Sequence, residues 1–192
     1  SQAKEVASLI NQSLKALPKN KPLKGIFHAA GVLQDALVSK IDASSLEKVM
    51  STKVNGWNHF EKVLKTSPGI EFLIGFSSIA ALLGSPGQAA YAAANGAIEG
   101  YCSQSENKIK RIAIQWGPWN GAGMAIGLER RFDGVGIRML NPEDALNALE
   151  RVLSRGQSEV VAVLDNDWQR LASQALPRQQ GWFSELLESV GP

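Results

Sequence analysis

The sequence has little cysteine, little histidine and little net charge, and each shortage argues against a class of protein. A single cysteine, Cys102, excludes a disulfide within the chain and is typical of a reducing cytoplasm. Two histidines beside one cysteine make a zinc site or other metal site unexpected. A net charge of +2, without a block of lysines or arginines, does not favour a nucleic-acid partner or an anionic membrane surface.

Long apolar runs are missing as well. No run reaches the roughly 20 residues that a membrane-spanning helix requires, and no signal-peptide pattern opens the chain. We therefore expect a cytoplasmic protein without a membrane partner. At 192 residues, of which 44% are apolar, the chain has the size of one soluble domain.

Hydrophobic periodicity predicts alternating helices and strands. The predicted helices are a first segment that stops at Pro18, residues 42–65 with Ser44 and Glu47 as a capping box, residues 88–105, and the segment PEDALNALERVL. The predicted strands are residues 23–28, 70–76 and 111–116, and the segment SEVVAVL. Apolar strands alternating with helices indicate an α/β fold, a parallel sheet with helices on both faces.

In such sheets ligands bind beyond the carboxyl ends of the strands. This rule selects the loops at residues 28–35, 77–88 and 117–124. His28 ends a strand, and we expect it to be packed and hydrogen-bonded rather than catalytic. The glycine-rich residues 117–138 are predicted to form a mobile lid loop with a short helix near residues 126–131.

Four polar side chains are predicted to share one site. Tyr91 and Asn95 are four residues apart on one helix and therefore project from the same face. Ser78 is expected in the loop that leads to this helix, just past the second strand. Lys53 follows Leu46 by seven residues, which places it on or beside the apolar face of the preceding helix. These groups suit carbonyl reduction, because an ammonium lowers the pKa of a nearby phenol, and a phenol and a hydroxyl can hold and protonate a carbonyl oxygen.

The segments "GIFHAAGVLQDA", "KVNGWNHF", "FSSIAALLGSPGQAAYAAAN" and "IQWGPWNGAGMA" carry a resemblance. In order and spacing they resemble the ketoreductase domain of modular polyketide synthases, a branch of the short-chain dehydrogenase/reductase family. Ser78 matches the family's serine, thirteen residues before the tyrosine. Asn95 and Lys53 match the synthase version, in which asparagine follows the tyrosine by four residues and the lysine lies in the preceding helix.

The resemblance implies a Rossmann-like fold and an enzyme that reduces a β-ketoacyl thioester, held on an acyl carrier protein, with NADPH. It implies Tyr91, Ser78, Lys53 and Asn95 as catalytic residues. The implied cofactor contacts are Ala29, Ala30, Gly31, Lys53, Tyr91, Gly117, Pro118, Trp119 and Met124.

One part of the family pattern is missing, the glycine-rich phosphate loop after the first strand. "GAGMAIG" has the wrong spacing and lies late in the chain. The resemblance therefore implies strands four to seven of a seven-stranded sheet, in residues 1–165, followed by a closing helix and linker in residues 166–192. We expect the remaining N-terminal half and neighbouring synthase domains as partners, and no activity from this chain alone.

The resemblance also bears on stereochemistry. In the family, an L-D-D triplet after the HAAG loop marks ketoreductases that give the D-hydroxyl (B-type). Those that give the L-hydroxyl lack the final aspartate and carry tryptophan eight residues before the tyrosine. Here the triplet is Leu33-Gln34-Asp35 and position 83 is leucine, so we predict B-type, with Asp35, Leu83 and Gln88 as stereocontrol residues. Two alternatives stay open, a ketoreductase of a multidomain fatty acid synthase and a non-catalytic scaffold.

Overall fold

A computed structural model describes residues 3–18, 20–67, 69–103, 109–121, 123–174, 181, 183–184 and 187–188. The chain forms two compact units. The first comprises residues 1–115 with 155–162, and the second comprises residues 116–154 with 163–192. The predicted domain boundary at residue 165 stays a prediction.

The elements follow the predicted alternation of helices and strands. The first are α1 (Ala3–Ala16), β1 (Gly25–His28), a 3₁₀ turn (Val38–Lys40), α2 (Ala43–Met50), a π-turn (Ser51–Asn55), α3 (Gly56–Leu64), β2 (Phe72–Ser78), α4 (Ile79–Leu83), α5 (Ala89–Ser103) and β3 (Lys110–Trp116). After them come a 3₁₀ turn (Gly123–Ala125), α6 (Glu129–Gly134), β4 (Ile137–Arg138), α7 (Pro142–Arg155), β5 (Glu159–Val163), β6 (Asp165–Asn166) and α8 (Trp168–Ser173).

The first unit is built on a four-stranded sheet of order β1-β2-β3-β5. Strands β1 and β2 run parallel, with Gly25 opposite Phe72 and His28 opposite Gly75. The α/β fold with a parallel sheet flanked by helices, predicted from the alternation of apolar strands and helices, is thereby confirmed. The main core cluster of this unit consists of Ile10, Ile26, Trp57, Leu64, Ile70, Leu73, Ile98, Cys102 and Ala113.

The predicted helix over residues 42–65 is one continuous run from α2 to α3, but its predicted cap is wrong. Asp42 is the N-cap residue, and its carboxylate accepts a hydrogen bond from the backbone N–H of Ser45 at 2.7 Å. Ser44 therefore lies inside the first turn, where it cannot begin a capping box with Glu47.

Two further predictions need correction. Strand β2 begins and ends two residues later than predicted, so Ser78 is the last residue of a strand and not part of a loop. In the predicted lid, the helix is α6, which begins at Glu129 rather than near residue 126, and β4 pairs with β6 in an antiparallel ladder. The predicted end of the helix of Tyr91, near residue 105, lies outside the described residues.

None of the helices in the described part of the chain is long and apolar enough to cross a membrane.

A partly buried ion pair ties α3 to β3. The Arg111 guanidinium donates from Nε and one terminal nitrogen to the two carboxylate oxygens of Glu61, at 2.6 and 2.7 Å. The guanidinium is largely buried and Glu61 is mostly so. By contrast, Lys24 and Glu71 form an ion pair whose side chains are both more than half exposed.

We expect Glu61→Ala to lower the free energy of unfolding by about 2–3 kcal/mol, because it leaves a buried guanidinium without its carboxylate. The matched control is Glu71→Ala, which should cost under about 1 kcal/mol because both partners are solvated. Urea unfolding of the two variants checks this. Equal costs would contradict the account of the Arg111 contact.

Candidate active site

Lys53 lies in the π-turn between α2 and α3 and is 3% exposed. Val49 and Trp57, four residues on either side, are fully buried, so Lys53 faces the interior of the unit. The sequence placed Lys53 beside the apolar face by its spacing from Leu46. Leu46 is 39% exposed, so the buried neighbours that define this face are Val49 and Trp57 instead. Single π-turns within α-helices are frequent at functional sites.

The buried ammonium of Lys53 has a defined partner on the sheet. Its Nζ donates a hydrogen bond to the backbone carbonyl oxygen of Phe76, two residues before the end of β2. Burial removes water from the charged form and lowers the pKa of Lys53 from 10.5 to about 8. The group can therefore gain or lose a proton near neutral pH.

Ser78 ends β2 and caps α4. Its Oγ accepts a hydrogen bond from the backbone N–H of Ala80 at 3.2 Å. A hydroxyl that accepts in this way keeps its own proton for a second bond. Ser78 can therefore donate to an oxygen of a bound molecule while remaining fixed by the helix it caps.

Tyr91 and Asn95 lie on consecutive turns of α5. The side chain of Asn95 is completely buried, and its Nδ2 donates to the backbone carbonyl oxygen of Tyr91 at 2.9 Å. Its Oδ1 is buried and accepts no hydrogen bond from any residue that the structure describes. A buried amide oxygen without a donor is costly, so this atom is suited to a water or a ligand group.

The structure brings these four residues onto adjoining elements. Helix α5, which carries Tyr91 and Asn95, contacts the π-turn of Lys53, strand β2 and helix α4. Lys53 is bonded to β2, whose last residue is Ser78. The predicted constellation therefore lies where β2, α5 and the π-turn meet.

The loop after β1 also reaches the start of α5. Ala29 and Ala30, directly after the strand, are exposed, and Gly31 is half-buried. Gln88, which precedes α5, donates from Nε2 to the carboxylate of Asp35 at 3.0 Å, and the N–H of Ala36 donates to the carbonyl of Gly87 at 2.8 Å.

Leu83, the third residue predicted to control stereochemistry, lies near these residues along the chain. It ends α4, five residues before Gln88.

The other predicted cofactor contacts belong to the second unit. The N–H of Gly117 donates to the carbonyl of Val163 at 2.8 Å, and a Cβ at this position would lie 3.4 Å from Leu164. The carbonyl of Pro118 accepts from Leu140, and Trp119 packs edge-on against Trp116 at 5.1 Å. Met124 is exposed in a 3₁₀ turn. That these residues border a cofactor stays a prediction.

Comparison with known proteins agrees with the resemblance noted in the sequence. The model of the KR domain, the ketoreductase domain of polyketide synthases, matches residues 1–121. The chain belongs to the KR domain family.

Relatives of this KR domain are polyketide synthases. It is 40% identical over 151 residues to erythronolide synthase EryA2 from Saccharopolyspora erythraea. This alignment covers 77% of the chain and 4% of the synthase. It is 32% identical over 176 residues to a 6-methylsalicylic acid synthase from Arthrobotrys oligospora, which covers 88% of the chain and 9% of that synthase.

Solved ketoreductases share the fold. PlmKR1, from the first module of phoslactomycin biosynthesis in Streptomyces sp. HK803, superimposes with a TM-score of 0.83 at 28% identity, over 96% of this chain and 43% of that one. An A-type ketoreductase from a modular polyketide synthase superimposes with a TM-score of 0.77 at 30% identity, over 86% of this chain and 35% of that one. The chain thus spans less than half the length of the relatives it matches.

Sequence reasoning missed a polar cluster behind the KR-domain site. Glu99, on α5, accepts a hydrogen bond from the hydroxyl of Ser77 on β2 and another from Gln115 Nε2 on β3, the latter at 2.9 Å. The spacing of Tyr91, Asn95 and Glu99, four residues apart each time, would have placed Glu99 on the same face of α5.

The burial of Lys53 predicts a pH dependence of stability. The folded pKa, about 8, lies below the unfolded value of 10.5, so between these values the unfolded chain binds the extra proton. The free energy of unfolding should therefore rise with pH across this window, by on the order of 3 kcal/mol for a shift of this size, and the full penalty applies below pH 8.

Lys53→Met should remove this rise, whereas Lys48→Met, at an exposed position of α2, should retain it. Urea unfolding at pH 7, 8, 9 and 10.5 measures the difference between each variant and the wild type. A wild type and a Lys53→Met variant with parallel profiles would show that Lys53 is not buried as described.

Proposed function

We propose that this KR domain takes part in the NADPH-dependent reduction of a β-ketoacyl thioester, held on the phosphopantetheine arm of an acyl carrier protein, to the β-hydroxyacyl thioester during polyketide biosynthesis. The observation that carries the proposal is the buried ammonium of Lys53, which is bonded to the strand that ends at Ser78 and belongs to a π-turn that contacts the helix of Tyr91. An ammonium buried at this cost is typical of a site that handles protons.

In the proposed reaction Tyr91 donates its phenolic proton to the carbonyl oxygen of the substrate. Ser78 donates a hydrogen bond to the same oxygen and holds it as negative charge develops. Lys53 stabilises the phenolate that remains, and the buried Oδ1 of Asn95 is suited to hold a water through which the proton is replaced. The carbonyl carbon gains a hydride and its oxygen a proton, so the ketone becomes a secondary alcohol.

The residues of this chain are suited to hold the nicotinamide half of NADPH. NADPH, when bound, supplies the hydride and leaves as NADP⁺. Lys53 and Tyr91 would hold its nicotinamide ribose, and Ala29, Ala30 and Gly31 offer an exposed, small-residue loop at the end of β1 for close backbone approach. Gly117, Pro118, Trp119 and Met124 are proposed to border the nicotinamide.

No glycine-rich loop for the phosphates is found in this sequence, so we infer that activity requires the rest of the ketoreductase domain. In the proposal, the neighbouring synthase domains and the acyl carrier protein are partners of that complete domain. The alternative to this proposal is a non-catalytic scaffold, and the following experiment distinguishes the two.

In the complete domain, Tyr91→Phe should lower kcat for a β-ketothioester by about 10²–10⁴-fold, because it removes the proton donor and little else. Tyr101→Phe, on the exposed side of the same helix, is the matched control and should leave the rate unchanged. NADPH oxidation measured by absorbance checks both. A Tyr91→Phe variant at the wild-type rate, or an inactive wild type, would refute the catalytic proposal and favour the scaffold.

We further propose B-type stereochemistry. The hydrogen bond from Gln88 to Asp35 ties the loop after β1 to the residue that precedes the helix of Tyr91. A loop fixed in this way can decide from which side the pantetheine arm enters, and hence which face of the carbonyl meets the hydride. The solved relatives include A-type and C2-type ketoreductases, so overall similarity does not choose between stereochemical types.

Chiral chromatography of the product from the complete domain should show the D-configured β-hydroxyl. Asp35→Ala should reduce the excess of this enantiomer because it frees the loop, whereas Asp144→Ala, at an exposed position in the first turn of α7, should not. A wild-type product that is mainly L-configured would overturn the assignment.

A further inference from the structure

His28 is a buried titratable side chain that the proposed reaction does not use. It is the last residue of β1 and 4% exposed, and its Nε2 lies 2.9 Å from the backbone carbonyl oxygen of Lys53. Burial is the main cause that lowers the pKa of His28, so the ring is neutral at physiological pH. A carbonyl oxygen only accepts, and Nε2 must therefore carry the proton and donate it.

The neighbouring glycine makes room for this ring. Gly56, the first residue of α3, has helical dihedral angles (φ −55°, ψ −50°), so its backbone conformation does not require glycine. A Cβ at this position would lie 2.9 Å from Cε1 and 3.0 Å from Nε2 of His28. The helix thus carries a residue of low helix propensity at a place where the imidazole approaches its backbone.

The carbonyl that His28 contacts belongs to the irregular turn. The oxygen of Lys53 accepts a hydrogen bond from the N–H of Gly56, three residues on. The imidazole supplies a second donor from outside the helix. Lys53 is therefore held at both ends, its backbone by β1 through His28 and its ammonium by β2 through Phe76.

We propose that His28 is a positioning residue, which fixes the π-turn through the carbonyl of Lys53 and thereby aims the Lys53 ammonium at the catalytic tyrosine. This inference deepens the proposed function and rests on it. His28 itself touches neither substrate nor cofactor in this role. The competing account is packing alone, since the ring also lies 5.5 Å from that of Phe60.

Two substitutions separate the accounts. His28→Phe keeps a flat ring against Phe60 but removes the donor. The Lys53 oxygen keeps its bond from Gly56, so its carbonyl is not left unpaired. His28→Gln loses the ring but can place an amide N–H near the position of Nε2. If His28 only packs, His28→Phe should be the milder of the two substitutions. If His28 positions Lys53, His28→Gln should be the milder one.

The first readout is amide hydrogen exchange in this chain, which needs no activity. His28→Phe should speed exchange of the amides of residues 51–57 by about tenfold or more, which is the loss of one hydrogen bond of about 1.4 kcal/mol, and leave those of the centre of α5 unchanged. His28→Gln should restore most of the protection. Unchanged exchange in the Phe variant, or equal loosening throughout both variants, would overturn the inference.

The second readout is kinetic. In the complete domain, His28→Phe should lower kcat by about 10–100-fold through misplacement of Lys53, with KM changed less than about threefold, and His28→Gln should recover most of kcat. A loss of kcat that Gln does not rescue would contradict positioning. If the wild-type domain reduces no β-ketothioester, the proposed function fails, while the exchange experiment still decides the role of His28.

Gly56→Ala provides an independent check. In the wild type it should lower the melting temperature and loosen the π-turn, because the added methyl meets the imidazole. In a His28→Ala background the same change should be neutral or stabilising, since alanine favours the helix once the ring is gone. Equal effects in both backgrounds would refute the contact between Gly56 and His28 on which the inference depends.

Discussion

The burial of one ammonium group organises the site around it. A charged amine withdrawn from water needs strong hydrogen-bond acceptors, and Lys53 finds one in the carbonyl oxygen of Phe76. This bond requires the helix of Lys53 to lie against the carboxyl end of β2. Ser78 ends that strand, and α5 packs on both elements, so the placement of the serine and the tyrosine helix follows from where the lysine is held.

A second polar anchor, at Glu99, holds α5 further along the same face of the helix. Glu99 binds Ser77 and Gln115, which lie near the ends of two adjacent strands. Because Tyr91, Asn95 and Glu99 share a face of the helix, this anchor also sets the rotation of α5 about its axis. Apolar contacts alone would leave that rotation loosely defined, since the helix is rich in alanine, whereas hydrogen bonds to two strands define it.

Sequence reasoning reached the α/β fold because apolar strands and amphipathic helices carry distinct periods. It also selected Lys53, Ser78, Tyr91 and Asn95, because their spacing matches a family pattern. The structure places them on adjoining elements, and their catalytic roles stay a prediction. Sequence reasoning could not reach the π-turn, which has no local signature in the segment STKVN and depends on a histidine 25 residues earlier. The need for glycine at position 56 could not be predicted either. Its dihedral angles are helical, so only its contact with His28 in the folded chain explains it. The N-cap at Asp42 was missed because Asp42, Ser44 and Ser45 can each cap a helix and lie within four positions of one another.

The same features bear on whether this fold is kept for catalysis or only as a scaffold. A buried lysine with a lowered pKa destabilises the folded chain at neutral pH. The Oδ1 of Asn95, which accepts no hydrogen bond within the described part of the chain, adds a further cost. A leucine or methionine at position 53 would pack in the interior without the cost of a buried charge. Folding alone therefore gives no reason for Lys53, His28 and Gly56 to occur together. The proposed proton transfer at Tyr91 would give one, because a lysine stabilises a phenolate best when it is desolvated, close and held in one direction.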